Sequence, residues 1–137
     1  MTSNKTIGNH FETELCKALA ARGFWAHNFR QDPSGQPADV IAVINGRAFL
    51  IDCKVCTYDG FKLSRMEENQ DLSMTLWENC GNGQGFFALW CQQCVYMIPH
   101  LVIQRLQEKA SVLRFNDFPK YGVPLEEWIK NALDCWQ

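Results

Sequence analysis

Two carboxylates and an ammonium, those of Asp39, Asp52 and Lys54, fall within the run PADVIAVINGRAFLIDCKV, residues 37–55. Carboxylate oxygens hold hard divalent cations, and a lysine beside such an ion helps to orient water for hydrolysis. The spacing favours a shared site. Residues 40–44 and 47–55 are short runs rich in β-branched and apolar side chains, and Asn45-Gly46 between them is a strong hairpin signal. Folding at that turn brings Asp39, before the first strand, to the far end of the second. Alternation along the strand puts Asp52 and Lys54 on one face and Cys53 on the other. A D-x-K triplet also suits an exposed ion pair. Here, however, Ala48, Phe49, Leu50 and Ile51 lead straight into Asp52, and burying a carboxylate there without a partner or metal is costly.

The elements around the hairpin must present this site. Residues 7–22 carry an apolar stripe, Phe11, Leu15, Ala18 and Leu19, at helical spacing, with Gly23 as the stop. Residues 24–29 read as a strand, followed by the turn-rich segment 32–37. After a loop at 56–63, Ser64 and Glu67 fit a capping box opening a helix to about Asn79, stopped by Gly81 or Gly83. Strands are expected at 86–90 and 95–98. A helix opened by Pro99 follows at 100–109, then a short strand at 112–115. A last helix should have Pro124 in its first turn, with Glu126 and Glu127 beside it, and end near Cys135. The order α-β-β-β-α-β-β-α-β-α implies an α/β fold, a mixed sheet flanked by helices, as one domain over residues 1–137.

Composition narrows the class. A chain of 137 residues, 47% hydrophobic and 20% charged, reads as globular, and no stretch approaches the length of an apolar membrane helix. The first dozen residues lack the apolar core of a secretory signal, so an intracellular protein is expected. The net charge of −2 argues mildly against nucleic-acid binding. Two bound divalent cations would reverse its sign, and Arg22, Arg30, Arg47, Lys62 and Arg65 supply local positive surface. Seven cysteines, an odd number, suit reduced thiols in an intracellular chain. The pairs Cys53/Cys56 and Cys91/Cys94 invite a zinc reading, but small apolar core residues are the default.

Gly8-Asn9-His10-Phe11-Glu12, Ala38-Asp39-Val40-Ile41, Ile51-Asp52-Cys53-Lys54-Val55 and the later Gln70, in this order, resemble the PD-(D/E)xK nuclease superfamily. The likeness is greatest to small Holliday-junction resolvases of the archaeal and RecU types, less to VRR-type nuclease domains, and covers roughly residues 8–99. It implies a restriction-endonuclease-like fold, with Mg²⁺ (or Mn²⁺) held by Asp39, Asp52 and the backbone carbonyl of Cys53. Lys54 would polarise the attacking water, and Glu12 would complete the acidic set directly or through water. The G-x-x-x-E spacing from Gly8 selects Glu12 over Glu14. Gln70 would face the site from the second helix. Arg30 and Ser34, before and in the turn-rich loop, match a place where resolvases contact the scissile phosphate; Lys62 and Arg65 are further candidates for DNA contact, and His10 a weaker one. Asp52 stands where these resolvases usually carry Glu.

The resemblance therefore implies a metal-dependent endonuclease that cuts branched DNA as a homodimer. Alternatives are a nuclease of flap or linear DNA, in a phage or mobile-element setting, and a non-catalytic module that binds DNA or protein through this fold or a cysteine zinc site.

Overall fold

Asn45 (φ 51°) and Gly46 (φ 76°) both take the left-handed conformation that a two-residue hairpin turn needs to match strand twist. The turn joins β2 (Val40–Ile44) to β3 (Arg47–Val55), antiparallel, with Val40 opposite Ile51 and Ile44 opposite Arg47. The structure is a computed structural model and describes residues 4–29 and 35–134, with side chains from residue 7 onward. Arg30, Ser34 and Cys135 lie outside the described residues.

Ahead of the hairpin come α1 (Asn4–Ala21) and β1 (Trp25–Asn28). After it come β4 (Gly60–Lys62), α2 (Glu68–Asn79), β5 (Phe86–Cys91), β6 (Cys94–Pro99) and α3 (His100–Gln107). The chain ends with β7 (Val112–Arg114), α4 (Phe118–Tyr121), β8 (Val123–Pro124) and α5 (Leu125–Asp134). The main sheet has the order β1-β2-β3-β5-β6-β8, and only β3 and β5 run parallel. A parallel pair needs a crossover, and α2 lies within it.

Strand alternation separates two cores. On one face Phe49, Ile51 and Ala88 pack with Phe11, Leu15 and Leu19 of α1 and Trp128, Ile129 and Ala132 of α5. On the other, Leu50, Phe87 and Leu89 pack with Met74 of α2, Ile103 and Leu106 of α3, and Phe61 and Leu113. Phe61 and Leu113 pair across a small second sheet, β4 with β7. Its first strand lies inside the expected 56–63 loop. Three residues are too few to show a period, and the pairing partner is some fifty residues away.

Two other expectations need correction. Ser64 does not cap a helix, because Leu63–Arg65 is a 3₁₀ turn and the capping box belongs to Glu67 and Gln70, one turn later. Leu63 and Met66 are buried, and the 3₁₀ turn lets both reach the core. Pro124 sits in β8, pairing with Tyr96, and α5 starts one residue after it. The α2 helix is tied to α3 by the fully buried His100, whose Nε2 lies 2.6 Å from Asp71 Oδ1 and Nδ1 3.0 Å from Glu78 Oε1.

Candidate active site

Where β2 begins and β3 runs on past it, backbone groups of β3 lose their ladder partners. Ile51 C=O still accepts the N–H of Asp39 (3.1 Å). Two residues on, Cys53 N–H donates to Asp39 Oδ2 (2.7 Å), and Val55 C=O accepts from Arg65 (2.8 Å). Ile51, Cys53 and Val55 thus direct backbone groups to the same edge. The Cys53 carbonyl lies on it, in a cleft of about 680 Å³ lined also by Glu12, Asp39, Asp52, Lys54, Lys62, Arg65 and Gln70.

Each acid arrives by a different route. Asp39 sits opposite the end of β3 and is oriented by two donors, Cys53 N–H and the Gln36 side-chain amide (3.0 Å to Oδ1). Asp52 is only 1% exposed, and its Oδ2 is buried without a well-aligned hydrogen bond among the described residues. The ammonium of Lys54 stands 3.4 Å from that oxygen and is itself 14% exposed. Glu12 is buried in α1 one residue after Phe11; the apolar stripe that docks the helix on the sheet therefore carries this carboxylate to the strand ends.

The electrostatics follow from crowding acids out of water. Burial, then Asp39, raises the Glu12 pKa from 4.5 to about 8, against a smaller lowering by Lys54. Burial, then the neighbouring Asp39, likewise holds Asp52 well above the ordinary carboxylate range, with Lys54 again pulling the other way. A divalent cation would relieve this repulsion, and every donor offered is a hard oxygen. Among the described residues no three His, Cys, Asp or Glu side chains are placed to hold a metal ion by themselves. An open site of one or two carboxylates, a carbonyl and water is how Mg²⁺ is ordinarily held. The group fits the residues present.

The structure brings Glu12, Asp39, Asp52, Lys54 and the Cys53 carbonyl together. Gln70 reaches the cleft wall, but its Oε1 accepts from Glu67 N–H (3.0 Å) as half of the capping box. Arg65 lines the cleft while tied to Val55 and lying 5.8 Å over the Phe61 ring; Lys62 is exposed there. Glu14 is exposed and pairs with Lys17, and His10 is exposed against Phe11 and Trp90, outside the cleft. Sequence reasoning missed Gln36; the only signal was a glutamine between two turn residues, three places before Asp39. The cysteine pairs do not converge as four ligands among the described residues. Cys53 and Cys56 pack against opposite faces of the sheet, and Cys91 Sγ contacts Thr57 C=O (3.1 Å).

A protein-family model described as "Archaeal holliday junction resolvase (hjc)" matches residues 3–134, nearly the whole chain. A search of curated proteins finds no match. Among solved structures, the chain is similar to the Holliday junction resolvase Hjc of the archaeal hyperthermophile Archaeoglobus fulgidus. The TM-score is 0.70 at 19% identity, covering 89% of this chain and 99% of that one. That likeness establishes the mixed sheet with flanking helices as a resolvase fold. Among the described residues no helix is long and apolar enough to cross a membrane.

Proposed function

The chain belongs to the archaeal Holliday junction resolvase family, and from that premise we propose that Glu12, Asp39, Asp52 and Lys54 are its hydrolytic centre, with Mg²⁺ as the metal. The family acts as structure-specific endonucleases on DNA junctions and requires a divalent metal. One observation carries the assignment of residues. Three carboxylates, Glu12, Asp39 and Asp52, line one cleft at the open end of β3, with the Lys54 ammonium beside Asp52.

In this reading Asp39, Asp52 and the Cys53 carbonyl would hold the ion, and Glu12 would join directly or through water. Mg²⁺ held there would supply charge stabilisation for the phosphoryl oxygens and a more nucleophilic water. Gln36 and Cys53 N–H keep Asp39 aimed at the cleft. Lys54, held beside Asp52, donates hydrogen bonds to the entering water and to the phosphate oxygens as negative charge builds. Water forms the new P–O bond while one bridging P–O bond breaks, leaving a phosphate and a hydroxyl at the nick. Lys62 and Arg65 on the cleft wall contact neighbouring phosphates, and Arg30 and Ser34 are proposed to meet the scissile one. Gln70 acts as a positioning residue, fixing the start of α2 beside the cleft.

A four-way junction has two-fold symmetry, and paired incisions need two centres, so the assembly is proposed to be a C2 homodimer. The outer face of α2 supports this. Leu72 and Leu76, one turn apart, are 61% and 66% exposed between Asn69 and Asn79, where a solvated helix face would carry charge. Apart from Glu68 at its edge this face is uncharged, so it can meet its own copy with little like-charge repulsion. Replacing both leucines with glutamate is expected to turn a micromolar dimer into a monomer by sedimentation equilibrium. The two nicks should then uncouple. An unchanged sedimentation profile would remove α2 from the interface.

The function is tested with labelled four-way junction, flap, linear duplex and single-stranded DNA, each with Mg²⁺, Mn²⁺ or EDTA. Symmetric metal-dependent nicks confined to the junction are expected. Equal cutting of flap or linear duplex would replace the junction with a broader substrate. Cleavage that persists in EDTA would remove the metal from the proposal. Such a protein would work inside a cell, on host or phage DNA.

A further inference from the structure

At the other end of β3, five residues from Asp52 and so about 17 Å along the strand, lies a second cavity of about 460 Å³. Arg47 and Phe49 of β3, Phe86 of β5 and Trp128 of α5 line it, together with Lys120 and Tyr121 of α4. Three aromatics, Phe49 and Trp128 buried and Phe86 partly so, brace one another: Trp128 stands edge-on to Phe49 (5.0 Å, 71°) and to Phe86 (5.4 Å, 76°). The rim is equally tight, since a Cβ on Gly122 would fall 2.3 Å from the Met97 carbonyl oxygen. This is a braced cavity, not a loose seam.

Its charge is one-sided. Among the described residues both charged side chains in the wall, Arg47 and Lys120, are cations, and no Asp or Glu lines it, although the chain as a whole carries −2. Lys120 is exposed and pairs with Asp117 (3.1 Å). Arg47 differs. Its guanidinium lies 5.0 Å over the Phe49 ring, and its Nη1 is buried with no hydrogen-bond acceptor among the described residues. An arginine that merely covers apolar surface keeps its head group in water, whereas a buried N–H without an acceptor is costly and calls for an oxygen.

We infer that this cavity binds a nucleobase carrying a phosphate, the base against the aromatic wall and a phosphate oxygen on Arg47. The volume lies in the range of small-molecule sites, and a guanidinium suits both a phosphate oxygen, by charge-assisted hydrogen bonds, and a planar base, by stacking. A peptide strand is disfavoured, because the outer edge of β6 at Tyr96 and Met97 is already paired with β8. The nucleotide could be free or an unpaired residue of a DNA strand; the chemistry is the same. The site is separate from the hydrolytic centre.

Nuclear magnetic resonance on the full chain tests this without any cleavage assay. The Trp128 indole signal is followed on titration with deoxyadenosine monophosphate, deoxyadenosine, inorganic phosphate and a short single-stranded oligonucleotide. The monophosphate should move the signal with an affinity about tenfold or more above the nucleoside or phosphate alone. Arg47→Gln should weaken it by about tenfold, and Arg47→Lys by less. Lys54→Ala should leave it unchanged, which separates this result from the fate of the proposed active site. Movement by the oligonucleotide would identify a DNA residue as the source; movement by the monophosphate alone would identify the free nucleotide. No movement at about 10 mM monophosphate, or equal affinity in Arg47→Gln, would overturn the inference.

Discussion

Asp52→Asn lowers the rate of junction cleavage by about 10³-fold or more, and Lys54→Ala does the same, while both variants stay folded and keep much of their affinity for junction DNA. The magnitude follows from removing a metal ligand, or the cation facing the developing phosphoryl charge. The tolerance of the fold follows from the site itself. Asp52 is nearly sealed from water and strongly disfavours its charged form, so a neutral amide of the same shape removes a penalty from the metal-free protein. Single-turnover cleavage, circular dichroism and a binding titration in Ca²⁺ or EDTA separate the three properties. Wild-type turnover by either purified variant would sink the assigned centre.

Metal-free protein should become less stable as pH rises from about 4 to about 8, the reverse of the usual behaviour of paired carboxylates. In the unfolded chain Glu12 and Asp52 ionise near their ordinary values. In the folded chain Glu12 ionises near 8 and Asp52 well above its ordinary value. Between those limits the native state holds protons that the unfolded state has lost, so each step up in pH favours unfolding. The stabilisation is fully present below the unfolded pKa values and is lost as pH passes the folded ones. In EDTA, Tm should fall by about 5–10 °C between pH 5 and pH 8. Millimolar Mg²⁺ should restore much of it at pH 8, because the ion binds the deprotonated set and only in the folded state. Asp52→Asn should flatten the profile. A metal-free Tm that rises over this range, or a variant whose profile runs parallel to the wild type, would show that the acids are not crowded as described.

The parts of this site that are close in sequence were legible from it. Asn45-Gly46 sets a two-residue turn, the turn sets the register of β2 on β3, and the register brings Asp39 to the level of Asp52; all of this happens within nineteen residues. Strand alternation then put Lys54 with Asp52. The stripe Phe11, Leu15 and Leu19 announced a helix that docks by one face. Its delivery of Glu12 to the strand ends could only be carried over from a family resemblance, since the docking depends on the opposite face of a sheet not yet built.

What the chain did not reveal lay in local choices that burial decided and in distant pairings. Ser64-x-x-Glu67 matches the capping-box pattern better than Glu67-x-x-Gln70, yet the burial of Leu63 and Met66 decided for the second. That choice turned Gln70 from a free side chain facing the cleft into a cap. The β4–β7 pair and the hydrogen bond from Gln36 to Asp39 left no pattern to read. Nor did the cavity around Arg47, whose wall is drawn from β3, β5, α4 and α5. The residue types of the hydrolytic centre and the hairpin that aligns two of its acids were written in short-range order. Their protonation was decided by the tertiary structure alone, because the cost of a buried charge depends on everything that excludes water from it.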